Sequence, residues 1–158
     1  MALVRILVDG YSLLHSWPEL APGKARHSPA ARTELIRMVT QYHDASGVPV
    51  TIVFDGTSGL ASAGEPPSTP EVEILYSHAG QSADQMIERA AHRLHAYGEV
   101  LVVTDDRAER DTVESAGAHT SSCLNFIRTI EAAQQEMDSQ LKSYNQRERT
   151  KYKRSKQQ

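Results

Sequence analysis

Asp9 follows Val4-Arg5-Ile6-Leu7-Val8, Asp55 follows Val50-Thr51-Ile52-Val53-Phe54, and the pair Asp105-Asp106 follows Val100-Leu101-Val102-Val103-Thr104. A further acid, Asp84, opens the segment Ser82-Ala83-Asp84-Gln85-Met86-Ile87. Carboxylates gathered in one place repel one another unless protons or a cation relieve them. Hard oxygen ligands of this kind suit Mg²⁺ or Mn²⁺. Each Asp taken singly could instead cap a helix or shape a turn. The chemistry therefore depends on whether the chain brings the five together.

The elements that must do so are readable. Val4–Val8 reads as a first, buried strand. A helix follows over Pro29–Ala45, capped by Ser28, with Pro29 in its first turn and Leu35, Ile36, Val39 and Tyr42 on one face. Val48–Phe54 is a second strand, 57–70 a Pro- and Gly-containing loop, and Val72–Tyr76 a third strand. Ser82 is the N-cap of a helix whose apolar face holds Met86, Ile87, Ala90, Ala91 and Leu94, ended by Gly98. Glu99–Thr104 is a fourth strand, Ala108–Ala116 a short helix and Ala118–Thr120 a brief fifth strand. From Ser122 to at least Tyr144 the chain reads as helix, with Ile127, Ile130, Met137, Leu141 and Tyr144 near heptad spacing. Strands alternating with helices predict a doubly wound α/β fold, a mostly parallel sheet with helices on both faces. Ligands bind beyond the carboxyl ends of such strands, which is where Asp9, Asp55, Asp105 and Asp106 fall. Asp84, at the start of a helix that follows a strand, falls on the same edge.

Bulk properties bound the rest. The chain suits one compact domain over residues 1–146, with a basic tail over 147–158. From Arg147 onward there are six Lys/Arg (Arg147, Arg149, Lys151, Lys153, Arg154, Lys156) against Glu148 alone, while the rest carries 11 basic and 19 acidic residues. A basic tail can neutralise phosphates, or it can be a solvated helix end. The single cysteine, Cys123, excludes an internal disulfide framework and a Cys-based zinc cluster, and fits a reducing compartment; a cytoplasmic protein is expected. No apolar run approaches the ~20 residues needed to span a bilayer, so no membrane partner is expected. The glycine-rich dinucleotide and P-loop motifs are absent, as is the G-x-S-x-G nucleophile elbow. His92 and His95 sit three apart on the third helix with no third ligand, and read as a solvated face. Trp17 reads as packing for the loop after the first strand.

The runs "ILVDGYSLLHSWPEL", "TIVFDG", "QSADQMIERAA" and "VVTDDRAE…GAH", in this order, resemble the YacP-like branch of the NYN domains, within the wider PIN-like nuclease group. The likeness covers Met1 to about Glu131. It implies the doubly wound NYN fold and a Mg²⁺- or Mn²⁺-dependent endoribonuclease acting on single-stranded RNA, mRNA by analogy with a bacterial relative that works at the ribosome. Carried over residue by residue, Asp9, Asp84 and Asp106 would be catalytic and metal-binding, with Asp55 and Asp105 as further metal ligands. Glu88, one helical turn after Asp84, matches a Glu in relatives. Three departures stand out. Ser12 replaces an Asn, Asp105 replaces a Ser, and His119-Thr120 replaces basic residues.

An acidic site repels RNA, so basic groups must supply affinity. Arg107, Arg110, Arg147, Arg149, Lys151, Lys153 and Arg154 are the candidates, with Ser12, Ser82 and Thr104 as hydroxyl contacts to phosphate or water. The rival readings are a catalytically weak or inactive RNA- or ribosome-binding module, a DNA-directed PIN-type nuclease, and a helical interaction protein built on the C-terminal heptads. The sequence does not set the oligomeric state.

Overall fold

β1 (Leu3–Asp9) is buried on both faces at Ile6, Leu7 and Val8, and it occupies the centre of a five-stranded sheet in the computed structural model, which describes residues 3–56 and 64–157. β2 (Val50–Phe54), β3 (Val72–Tyr76), β4 (Glu99–Val103) and β5 (His119–Ser121) complete it in the order β3-β2-β1-β4-β5, with every ladder parallel. The order reverses beside β1, so the crevice at its carboxyl end is the expected ligand site.

Strand alternation splits the core. Ile6, Val8, Ile52, Phe54 and Val103 face α1 (Gly10–His15), α2 (Pro29–Ser46) and the first turns of α5 (Cys123–Gln157). Leu7, Val53, Val100 and Val102 face α3 (Ala83–Leu94) and α4 (Arg107–Ser115). The doubly wound expectation therefore holds, and each expected strand and helix is present, within one or two residues of its expected bounds except at the ends of two helices: α3 stops at Leu94, with a 3-10 turn over His95–Tyr97 before Gly98, and α5 runs beyond Tyr144. α1 is a short helix between Asp9 and Trp17. Its first residue is Gly10 for a steric reason: a Cβ there would lie 2.5 Å from Phe54 Cδ1. Of the expected loop, residues 57–63 lie outside the described residues. The described part is less idle than its composition suggests, because Glu65 forms a buried ion pair with Arg32 at 3.2 Å and accepts from the Tyr76 hydroxyl at 2.8 Å.

α5 continues well past Tyr144, through the expected boundary at residue 146. Only its start is anchored in the core, by Cys123, Phe126, Ile127 and Ile130; from Gln134 to Ser155 it is exposed. No helix among the described residues is long and apolar enough to cross a membrane. Trp17 is buried, His92 is exposed, and the His95 ring covers Gly117, leaving no room there for a Cβ.

Candidate metal centre

Three chain segments reach the carboxyl edge beside β1, and each contributes one carboxylate. Asp9 ends β1 and caps α1, its Oδ1 accepting from the Ser12 backbone N–H at 3.3 Å. Burial raises its pKa above the ordinary value; hydrogen bonds from Ser12 oppose this, and the Asp84 and Asp55 charges add to it. Asp84 lies in the first turn of α3, where the helix dipole favours an anion. That helix start is fixed by a capping box: Gln85 N–H donates to Ser82 Oγ and Ser82 N–H to Gln85 Oε1, both at 3.2 Å.

The third carboxylate is Glu109, three residues into α4. It is 2% exposed, its Oε2 accepts from Thr104 Oγ1 at 2.9 Å, and its Oε1 is buried with no hydrogen-bond partner. Burial, then the facing carboxylates of Asp84 and Asp9, push its pKa up to about 8, against the lowering effect of the Thr104 bond. One oxygen from each of Asp9, Asp84 and Glu109 lies within 4.8 Å of the others. Among the described residues no Lys or Arg pairs with any of the three. A buried carboxylate oxygen without a donor, facing two more carboxylates, fits a hard divalent cation as its missing partner.

The other acids expected here lie nearby, outside the triad, and make contacts of their own. Asp106 is exposed and caps α4, its Oδ1 accepting from Glu109 N–H at 3.1 Å; it thereby holds Glu109 in place. Asp105 is engaged on both oxygens, by Cys123 N–H at 2.9 Å and Ser16 Oγ at 3.2 Å, and so joins the end of α1 to the start of α5. Its charge faces the N-terminus of α5. Asp55 is exposed and accepts from Ser77 Oγ at 2.8 Å, yet is near enough to raise the pKa of Asp9. Glu88 stands outside the cluster.

Of the hydroxyls, Thr104 supports Glu109 and also accepts from Asp106 N–H at 3.1 Å, Ser82 caps α3, and Ser12 borders Asp9. Arg107 opens α4 and is exposed, whereas Arg110 donates to Thr120 Oγ1 at 3.4 Å, on the β5 side. The basic tail is not brought to the centre. α5 starts at the carboxyl edge and runs away from it, so Arg147 lies about 36 Å of helix rise from Cys123, and Arg149, Lys151, Lys153 and Arg154 lie farther. Cys123 itself is fully buried; burial, with Asp105 beside it, pushes its thiol up to about 12, which leaves it protonated and without a nucleophile's role.

Glu109 was not among the residues expected from sequence. The signal was present: Asp106-Arg107-Ala108-Glu109 is a helix start on the metal edge, and the third residue of a first turn points back toward the preceding strand.

Comparisons with known proteins give the family and the fold. A family model described as "YacP-like NYN domain" matches residues 6–158. A Bacillus subtilis protein described as uncharacterized protein YacP is 29% identical over 140 residues, spanning 87% of this chain and 81% of its own length. The crystal structure of Rae1 (YacP) from Bacillus subtilis superposes with a TM-score of 0.74 at 26% identity, over 90% of this chain and 81% of that one. A mutant form of the same protein gives 0.74 at 24% identity, over 89% and 82%, and bears on the fold alone.

Proposed function

This chain belongs to the YacP-like NYN domain family, a branch of the PIN-like nucleases, and on that premise we propose that it is a divalent-metal-dependent endoribonuclease that hydrolyses single-stranded RNA. The observation that carries the reading is the convergence of Asp9, Asp84 and Glu109, with the buried Glu109 Oε1 left without a donor. These three residues would hold Mg²⁺ or Mn²⁺, with Asp55, Asp105 and Asp106 along the same rim. Bound there, the cation would acidify a water and neutralise charge developing on the phosphate oxygens.

The chain's own residues do the rest. Thr104 orients Glu109 through Oε2 and leaves Oε1 facing the cluster, while the Asp106 cap fixes the turn from which Glu109 projects. Ser12 holds Asp9 through its backbone N–H, and its hydroxyl also bonds that carboxylate at the rim. The edge position favours a flexible single strand, because a duplex would have to unwind to present its backbone there. Arg107 is the nearest of the expected basic contacts. Arg147, Arg149, Lys151, Lys153 and Arg154 would engage RNA, or a ribosomal surface, remote from the scissile bond.

The test is cleavage of a labelled single-stranded RNA by the full chain in Mg²⁺, Mn²⁺ or EDTA, beside Asp84→Asn and Glu109→Gln. The expected result is metal-dependent cutting lost in both variants. Cutting that persists in EDTA or in both variants overturns the reading. RNA binding without cutting, with or without ribosomes, would favour a non-catalytic binding module.

A further inference from the structure

Beside the metal centre lies a shallow cleft of about 300 Å³, lined by Tyr11, Ser12, His15, Ser16, Arg26 and His27, with Asp105 at its edge. We propose that this cleft is the subsite that grips the RNA phosphate next to the scissile one; the inference rests on the nuclease reading and extends it to where the strand lies.

Three observations carry it. The first is continuity. Ser12 lines the cleft, and its backbone N–H is the one that holds Asp9, so cleft and metal centre share a wall. Ser12 and His15 lie at i and i+3 of α1 and Ser16 is its C-cap, so the wall extends about one turn, about 5.4 Å, from the Asp9 cap. That is a step comparable to one nucleotide of an extended strand.

The second is chemistry. The Arg26 guanidinium donates to His15 Nδ1, and the His27 ring packs on Tyr11 with centroids 4.3 Å apart. A guanidinium and the remaining N–H of an imidazole form a donor set suited to phosphate. The exposed His27 edge beside Tyr11 is a surface on which a base can lie. The single carboxylate at the edge, Asp105, is occupied by Ser16 and Cys123 N–H, so its oxygens do not compete for Arg26.

The third is the placement of positive charge. The metal edge carries six carboxylates, and the basic tail begins about 36 Å of helix rise from the start of α5. Arg110 is turned to β5. A strand drawn to the triad therefore needs positive charge beside it, and Arg26 supplies it on the α1 side.

The experiment pairs equilibrium binding with kinetics. Fluorescence anisotropy of a labelled 12-nucleotide RNA on the Asp84→Asn chain in Mn²⁺ is compared with the same chain carrying Arg26→Ala, across a salt series. Steady-state cleavage is then compared for the otherwise wild-type chain with and without Arg26→Ala, on the 12-mer and on a dinucleotide. The expected result is about tenfold weaker binding of the 12-mer, a log–log salt slope shallower by about 0.7, and a raised KM with kcat within twofold. The dinucleotide, too short to reach the cleft, should show no difference. Unchanged binding and salt slope, with cutting intact, would overturn the subsite and leave the nuclease reading standing. A fall in kcat on the dinucleotide would also overturn it, because Arg26 would then act at the scissile phosphate. Absence of both binding and cutting in the wild-type chain would remove the nuclease reading and the subsite together.

Discussion

Replacing Glu109 with Gln separates the stability of the metal centre from its function. The folded chain holds the Glu109 carboxyl at about 8 against an ordinary 4.5, chiefly through burial. Below pH 4.5 folded and unfolded chains are both protonated, and the group is neutral in its effect. Between pH 4.5 and 8 the unfolded chain ionises while the folded one keeps its proton, so wild-type stability falls as pH rises. At about 1.4 kcal/mol for each pH unit the ceiling on this loss is about 5 kcal/mol. The dielectric response at an open sheet edge reduces it to about 2 kcal/mol. Gln cannot ionise. Its oxygen can accept from Thr104, and its amide can donate to Asp84, so it imitates the protonated acid. In EDTA at pH 8, Glu109→Gln should therefore melt about 4–8 °C above wild type, at about 2–4 °C per kcal/mol for a domain of this size, and the gap should shrink sharply at pH 5. Thermal denaturation of both chains at the two pH values is the assay. A gap that is the same at both pH values, or a variant less stable at pH 8, would refute the reasoning that Glu109 is a carboxylic acid held neutral by its surroundings. The same variant should lose most of the Mn²⁺-induced rise in melting temperature seen with wild type.

Mn²⁺ binding should displace the Glu109 proton, so apparent affinity should rise between pH 6 and 8, and titration calorimetry in two buffers of different ionisation enthalpy should detect the released proton. Gly10→Ala should cost about 1–3 kcal/mol in urea denaturation, because the new Cβ meets Phe54 and that ring is held between Tyr11 and Tyr76. Arg32→Met should cost about 3–5 kcal/mol by leaving Glu65 buried and unpaired, and the double change Arg32→Met with Glu65→Gln should recover much of it.

The sheet was legible because buried parallel strands advertise themselves as short apolar runs, and their polar ends mark the carboxyl edge. Ser82 and Ser28 were legible as caps for the same local reason, and both side chains accept the expected first-turn N–H. The inward set of acids was only partly legible. Asp9 and Asp84 lie where strand and helix ends suggest. Between Asp105, Asp106 and Glu109, however, linear sequence does not say which carboxylate turns inward. That depends on the cap Asp106 makes to Glu109, on Thr104 reaching the Glu109 carboxyl, and on Asp105 being claimed by the start of α5. All three are short contacts between side chain and turn that residue types permit without requiring. The direction of the tail was also hidden, since a charge count does not tell that α5 leaves from the metal edge rather than returning to it. Arg32 and Glu65 were missed because a loop rich in Ser, Gly and Pro gives no sign that one of its acids will be buried.

The most direct test of the metal centre is to locate Mn²⁺ by anomalous diffraction from crystals of the full chain grown with the ion. The expected result is an anomalous peak within coordination distance of Asp9, Asp84 and Glu109, absent from crystals of Glu109→Gln. A peak at Asp105 and Asp106 alone, or Mn²⁺-dependent cutting with no ion bound among the three carboxylates, would contradict it.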